Sequence, residues 1–108
     1  MAHLRECLAD PDPEVAAIAA QSLGLLGDRA SAATIGRLVE AYARNAEARS
    51  GNWHAITCAS FGAAVLAARG VLDREMVMDA IGELASAARS HSRTSLLALY
   101  DALKQGDG

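Results

Sequence analysis

Residues 12–28 fix one helix between a start signal and a stop signal, and that bracket constrains the chain more than any other feature. Asp12 carries a carboxylate that can accept from the free N–H groups of a first helical turn. Pro13 suits the first helical position, where no N–H is needed, and Glu14 favours the positive end of the helix dipole. Gly27-Asp28 closes the segment as a C-cap turn. Between them Val15, Ile18, Ala19, Ser22, Leu23 and Leu26 recur at helical spacing, which predicts a stripe facing a core.

The rest of the chain repeats this grammar. A short first helix is predicted over about Ala2 to Ala9, with Leu4, Cys7 and Leu8 on one side. A third helix, about Ser31 to Arg49, carries Ile35, Leu38, Val39, Tyr42, Ala43 and Ala46. Ser50-Gly51-Asn52 reads as a loop with Asn52 as N-cap. The fourth helix, Trp53 to Arg69, is apolar nearly all round, the pattern of a buried helix, and Gly70 caps it. Asp73 opens the fifth, with Met76, Val77, Ala80, Ile81, Leu84, Ala85 and Ala88 as its stripe. Ser90-His91-Ser92 reads as a break, and a sixth helix over about Arg93 to Lys104 carries Leu96, Leu97, Leu99, Tyr100 and Leu103. Strand signals, runs of β-branched and aromatic residues, are missing. The fold class is therefore all-α, six helices in a single domain over residues 1–108. About a quarter of the residues are Ala, which suits helices packed closely side by side.

Internal symmetry supports a stack. At an offset of about 38 residues Leu23-Gly24 falls on Phe61-Gly62, Ile18 on Ile56, Ser22 on Ser60 and Leu38-Val39 on Met76-Val77. Gly24 and Gly62 each cost helix propensity, so a close helix crossing at Gly62 is expected. The segment Leu8-Ala-Asp-Pro-Asp-Pro-Glu-Val with Ser22-Leu-Gly-Leu-Leu-Gly-Asp28 resembles a HEAT-like repeat of the phycobilin lyase type. The resemblance is good over residues 8 to 28, weaker over 29 to 49 and only patterned beyond, where the second repeat lacks the Asp-Pro start. It implies a short α-solenoid of about three HEAT-like hairpins, beginning half-way through a hairpin, and so admits a fragment of a longer repeat protein.

The residues carry no catalytic set: no glycine-rich phosphate loop and no paired-cysteine metal motif. The resemblance transfers no lyase residues, and no His-Glu dipeptide is present to serve as the ligand that some HEAT-like iron oxygenases use. Neither a metal nor a cofactor is expected. A net charge of −3 argues against nucleic acid, whose phosphates need a basic face. No signal peptide is visible, and the uncharged stretch Ala55 to Ala68 is short of the roughly 20 residues that span a bilayer. Cys7 and Cys58 read as buried, reduced thiols of a cytoplasmic protein.

What remains is a surface. Glu40, Arg37, Arg44 and Glu47 form a polar stripe on the third helix; Glu75, Met78, Asp79 and Glu83 fall nearby one offset later. In paired-helix solenoids such second helices line the concave binding face. Arg37, Glu40, Arg44, Met78 and Asp79, with Trp53 as an aromatic anchor, are thus the candidate partner-binding residues; the plainer reading makes Glu40 and Arg44 an ordinary i,i+4 pair and Trp53 a lid on the core. The function expected is a non-enzymatic protein–protein interaction module, an adaptor or scaffold, whose partner is another protein or its own copy through the sixth helix. The alternative is a small-molecule-binding or enzymatic helical domain with an apolar pocket near Trp53, Phe61 and Cys58. His54 and Cys58, four apart, could share a face as a reactive pair or as a core Cys beside a helix-start His.

Overall fold

The computed structural model describes residues 2–44 and 52–105. They form six α-helices: α1 (Ala2–Cys7), α2 (Pro13–Leu26), α3 (Ala32–Arg44), α4 (Trp53–Ala68), α5 (Arg74–Ala87) and α6 (Ser90–Gln105), with a 3-10 turn at Arg29–Ser31 before α3. No strand occurs among the described residues. The expected end of the third helix at Arg49, with Ala46 and Glu47, lies outside them.

The start and stop chemistry is as the residues predict. Asp12 accepts from the Glu14 N–H at 3.0 Å, and Asp73 does the same for Glu75 at 3.1 Å. Gly27 and Gly70 adopt left-handed backbone, φ 74° and 79°. Each closes a double-bonded C-terminal turn: Asp28 N–H donates to the Leu23 carbonyl and Val71 N–H to that of Leu66. Asn52 occupies the N-cap position of α4, but its side chain makes no capping bond.

Two boundaries differ from expectation. Leu8 and Ala9 turn out of α1 on bonds to the Arg5 and Glu6 carbonyls, so that helix stops at Cys7. The break before α6 falls at Ala88-Arg89, and Ser90-His91-Ser92 is helical. Ala88 carries no breaker signal. It is buried, its N–H still bonds the Leu84 carbonyl, and only then does the backbone swing to extended geometry.

Alternate helices stack. The closest packing is α2 on α4, with α6 continuing on α4; α3 packs on α5. The Cα envelope, 35 × 34 × 19 Å, is about two helix diameters thick. The sequence repeat frames α2–α3 and α4–α5 as hairpins, yet α3–α4 and α5–α6 are the more closely packed sequential pairs. The core between the layers is built on Leu23, Ile35, Val39, Ile56, Leu66, Val77, Ile81, Leu84 and Leu96, all essentially inaccessible. Each such side chain contributes about 1.5–3 kcal/mol by leaving water.

The α2 stripe needs correction. Ala16, Ala17, Ala19, Ala20, Leu23 and Gly24 are buried, whereas Ile18 is 51% and Leu26 60% exposed, with Leu25 beside them at 47%. The expected face is rotated because the α2 and α4 backbones approach each other closely at Ala20, Gly24 and Gly62. A Cβ on Gly24 would lie 2.7 Å from the Gly62 carbonyl carbon, and one on Gly62 would lie 2.9 Å from that of Ala20. The crossing expected at Gly62 is therefore present, and it joins the two repeat-related glycines.

The N-terminal helix is fastened by an ion pair that periodicity does not reveal. Arg5 grips Asp28 with two bonds, Nε to Oδ2 at 2.9 Å and an Nη to Oδ1 at 2.7 Å, while Ser31 donates to the same carboxylate at 2.6 Å. The Arg5 guanidinium, then the Ser31 hydroxyl, hold Asp28 well below the usual carboxylate range.

Candidate functional site

A groove of about 370 Å³ opens between α3 and α5. Its position follows from the packing: α3 and α5 lie in the same layer, and Gly36 on α3 faces the side chains of Leu72 and Met76. Five carboxylates line it: Glu40 from α3, Asp73 at the cap of α5, and Glu75, Asp79 and Glu83 along α5. Arg44 is the single cation of the lining, and Ala43, Met76 and Ala80 supply the apolar part. The lining alone carries more negative than positive side chains by four, five against one, while the whole chain nets −3.

The carboxylates face outward with little to neutralise them. Glu75, Asp79 and Glu83 are exposed and Glu40 is half-buried. Among the described residues no ion pair closes between Glu40 and Arg44, so the ordinary i,i+4 pairing is not formed. Asp73 is partly committed, since its side chain caps α5.

Of the residues singled out in the sequence, the candidates Glu40, Arg44 and Asp79 meet in this groove, with Glu75 and Glu83 of the same polar stripe. Arg37 is exposed on α3 but outside the lining. Met78 and Trp53 are half-buried and packed against the core; neither is a free apolar contact. Asp73 read only as a cap and Met76 only as core, because both serve those purposes too. Spacing along one helix could not show that they border a space between two.

A second groove, about 360 Å³, lies on the other layer between α2, α4 and α6, where Gln21, His54, Cys58, Phe61 and Leu99 converge. Trp53 does not line it. The His54 Nε2 and Cys58 Sγ stand 3.8 Å apart, and His3 and Cys7 repeat the arrangement at 4.0 Å on α1. Both cysteines are free thiols and half-buried rather than buried. Burial, and secondarily the Glu14 carboxylate, push the Cys58 thiol up, which disfavours the nucleophilic thiolate. Among the described residues no group of three or more His, Cys, Asp and Glu is arranged to hold a metal ion, and no helix is long and apolar enough to cross a membrane.

The chain matches no family model, no curated protein and no solved structure.

Proposed function

We propose that this protein is a non-enzymatic interaction module, a short α-solenoid of HEAT-like hairpins that docks a segment of another protein in the α3–α5 groove. The alternate stacking of α2 with α4 and of α3 with α5 supports the solenoid reading. The observation that carries the docking reading is the groove itself: an apolar floor of Ala43, Met76 and Ala80 bordered by the exposed charges of Glu75, Asp79, Glu83 and Arg44. Binding surfaces combine desolvatable apolar area with a polar rim in this way. A cytoplasmic location accords with the free thiols.

Another protein is preferred to a second copy as the partner. The side of α6 that carries Leu97 also carries Arg93, Asp101 and Lys104, all exposed, so a charged fringe surrounds its one large apolar residue.

Selection from a random peptide display library on the folded domain tests the reading. Enriched peptides should lose binding to the doubly reversed variant Asp79→Arg/Glu83→Arg. If nothing is enriched, or if every enriched peptide binds that variant unchanged, the groove is not a docking face.

A further inference from the structure

We propose that the occupant of the α3–α5 groove is a cationic segment of a partner protein, one that lays Lys or Arg stems along the floor and sets their charged heads among the rim carboxylates. This rests on the docking reading above and names its partner chemistry. Charge complementarity carries it. The lining holds five carboxylates against Arg44, and Glu75, Asp79 and Glu83 recur every four residues along α5, so their heads follow one line on the helix surface. The floor is the second element. Ala43 and Met76 are half-buried and Ala80 buried, an apolar trough that accepts methylene stems while leaving the ammonium or guanidinium head in water at the rim. An acidic segment or a phosphate backbone would meet like charge along the whole α5 side. A purely apolar segment would leave the rim carboxylates facing its backbone with no counter-charge. Arg44, at the C-terminal end of α3, sets a direction: the segment's own acidic or C-terminal end belongs beside it.

The probes are a fluorescein-labelled, helix-forming Ala/Lys peptide of about twelve residues, roughly 18 Å when helical, and its Ala/Glu counterpart. The wild-type domain should bind the Lys peptide, ignore the Glu peptide, and lose affinity as salt rises from about 50 to about 300 mM. Asp79→Asn/Glu83→Gln should weaken binding by about tenfold or more with an unchanged thermal midpoint. Glu14→Gln/Asp101→Asn removes the same formal charge elsewhere and should bind as the wild type does. Equal weakening by both pairs would reduce the effect to net charge and overturn the proposal. If the Lys peptide fails while library-selected peptides of neutral or acidic composition still need the groove, the cationic assignment falls and the docking reading stands. If neither binds, both fall.

Discussion

The α2–α4 contact lies within one layer and the α3–α5 contact within the other, and each has a glycine on α2 or α3 facing the neighbouring helix. Gly24 faces backbone: an added Cβ would run into the Gly62 Cα and carbonyl. Gly36 faces the ends of flexible side chains: an added Cβ would meet the Met76 methyl at 3.0 Å and a Leu72 methyl at 3.3 Å. One contact is closed by main chain and cannot yield. The other is closed by side chains that can move, and it opens into the acidic groove. Backbone-to-backbone packing gives the slab a rigid spine on one side and leaves adaptable surface on the other, which is where a docking face belongs.

The sharpest way to break this contrast is Gly62→Leu. Overpacking usually costs 1–3 kcal/mol, but here the obstacle is the Ala20–Gln21 backbone, so a loss at or above about 3 kcal/mol is expected. Circular dichroism should show a thermal midpoint depressed by more than about 10 °C, or no folded protein. An unchanged midpoint would mean that α2 and α4 do not cross there.

This crossing also marks what the residues could and could not disclose. The caps at Asp12, Gly27, Gly70 and Asp73 were legible because each is a local bond pattern within a few residues. Gly24 and Gly62 were legible because a mid-helix glycine needs a reason. The buried face of α2 was not: large apolar residues usually mark the core, but a contact this close selects Ala and Gly and turns Ile18, Leu25 and Leu26 outward. The groove was half legible for a related reason. Glu40, Arg44 and Asp79 showed as a polar face, while the space between α3 and α5 depends on how far apart two helices stand, which no single-helix pattern encodes. The Arg5–Asp28 pair, 23 residues apart, was silent in the sequence altogether.

That pair yields the next prediction, since it ties α1 to the turn that ends α2. The folded Asp28 carboxyl titrates below its unfolded value of about 3.9, so its stabilisation is complete above roughly pH 5 and is lost as pH falls through the folded value. Thermal midpoints followed from pH 7 down to pH 3 should fall less steeply for Asp28→Asn than for the wild type, from a lower start at neutral pH. Parallel profiles would show that another carboxylate governs the acid limb. The effect should be smaller than that of Gly62→Leu, because Arg5 is partly exposed and α1 is a single short helix.

The smallest expected changes come from the adaptable side of the molecule, and the first has the opposite sign. Gly82 lies within α5, and a Cβ there would meet the Tyr100 ring of α6 at 3.4 Å, an ordinary van der Waals distance. Nothing needs to move, so Gly82→Ala keeps the native packing while removing backbone freedom from the unfolded chain. It should raise stability by about 0.5–1 kcal/mol, read as a shift of a few degrees in the midpoint. Gly36→Ala should fall between, close to neutral, because the helix gain is offset by a displacement of the Met76 methyl of a few tenths of an ångström. The order Gly82→Ala above Gly36→Ala above Gly24→Ala follows from one quantity alone, whether the atom opposite the glycine is free, flexible or main chain. If Gly36→Ala were instead as damaging as Gly24→Ala, the α3–α5 contact would be as rigid as the spine, and a groove that must fit a partner's side chains would have no slack to do so.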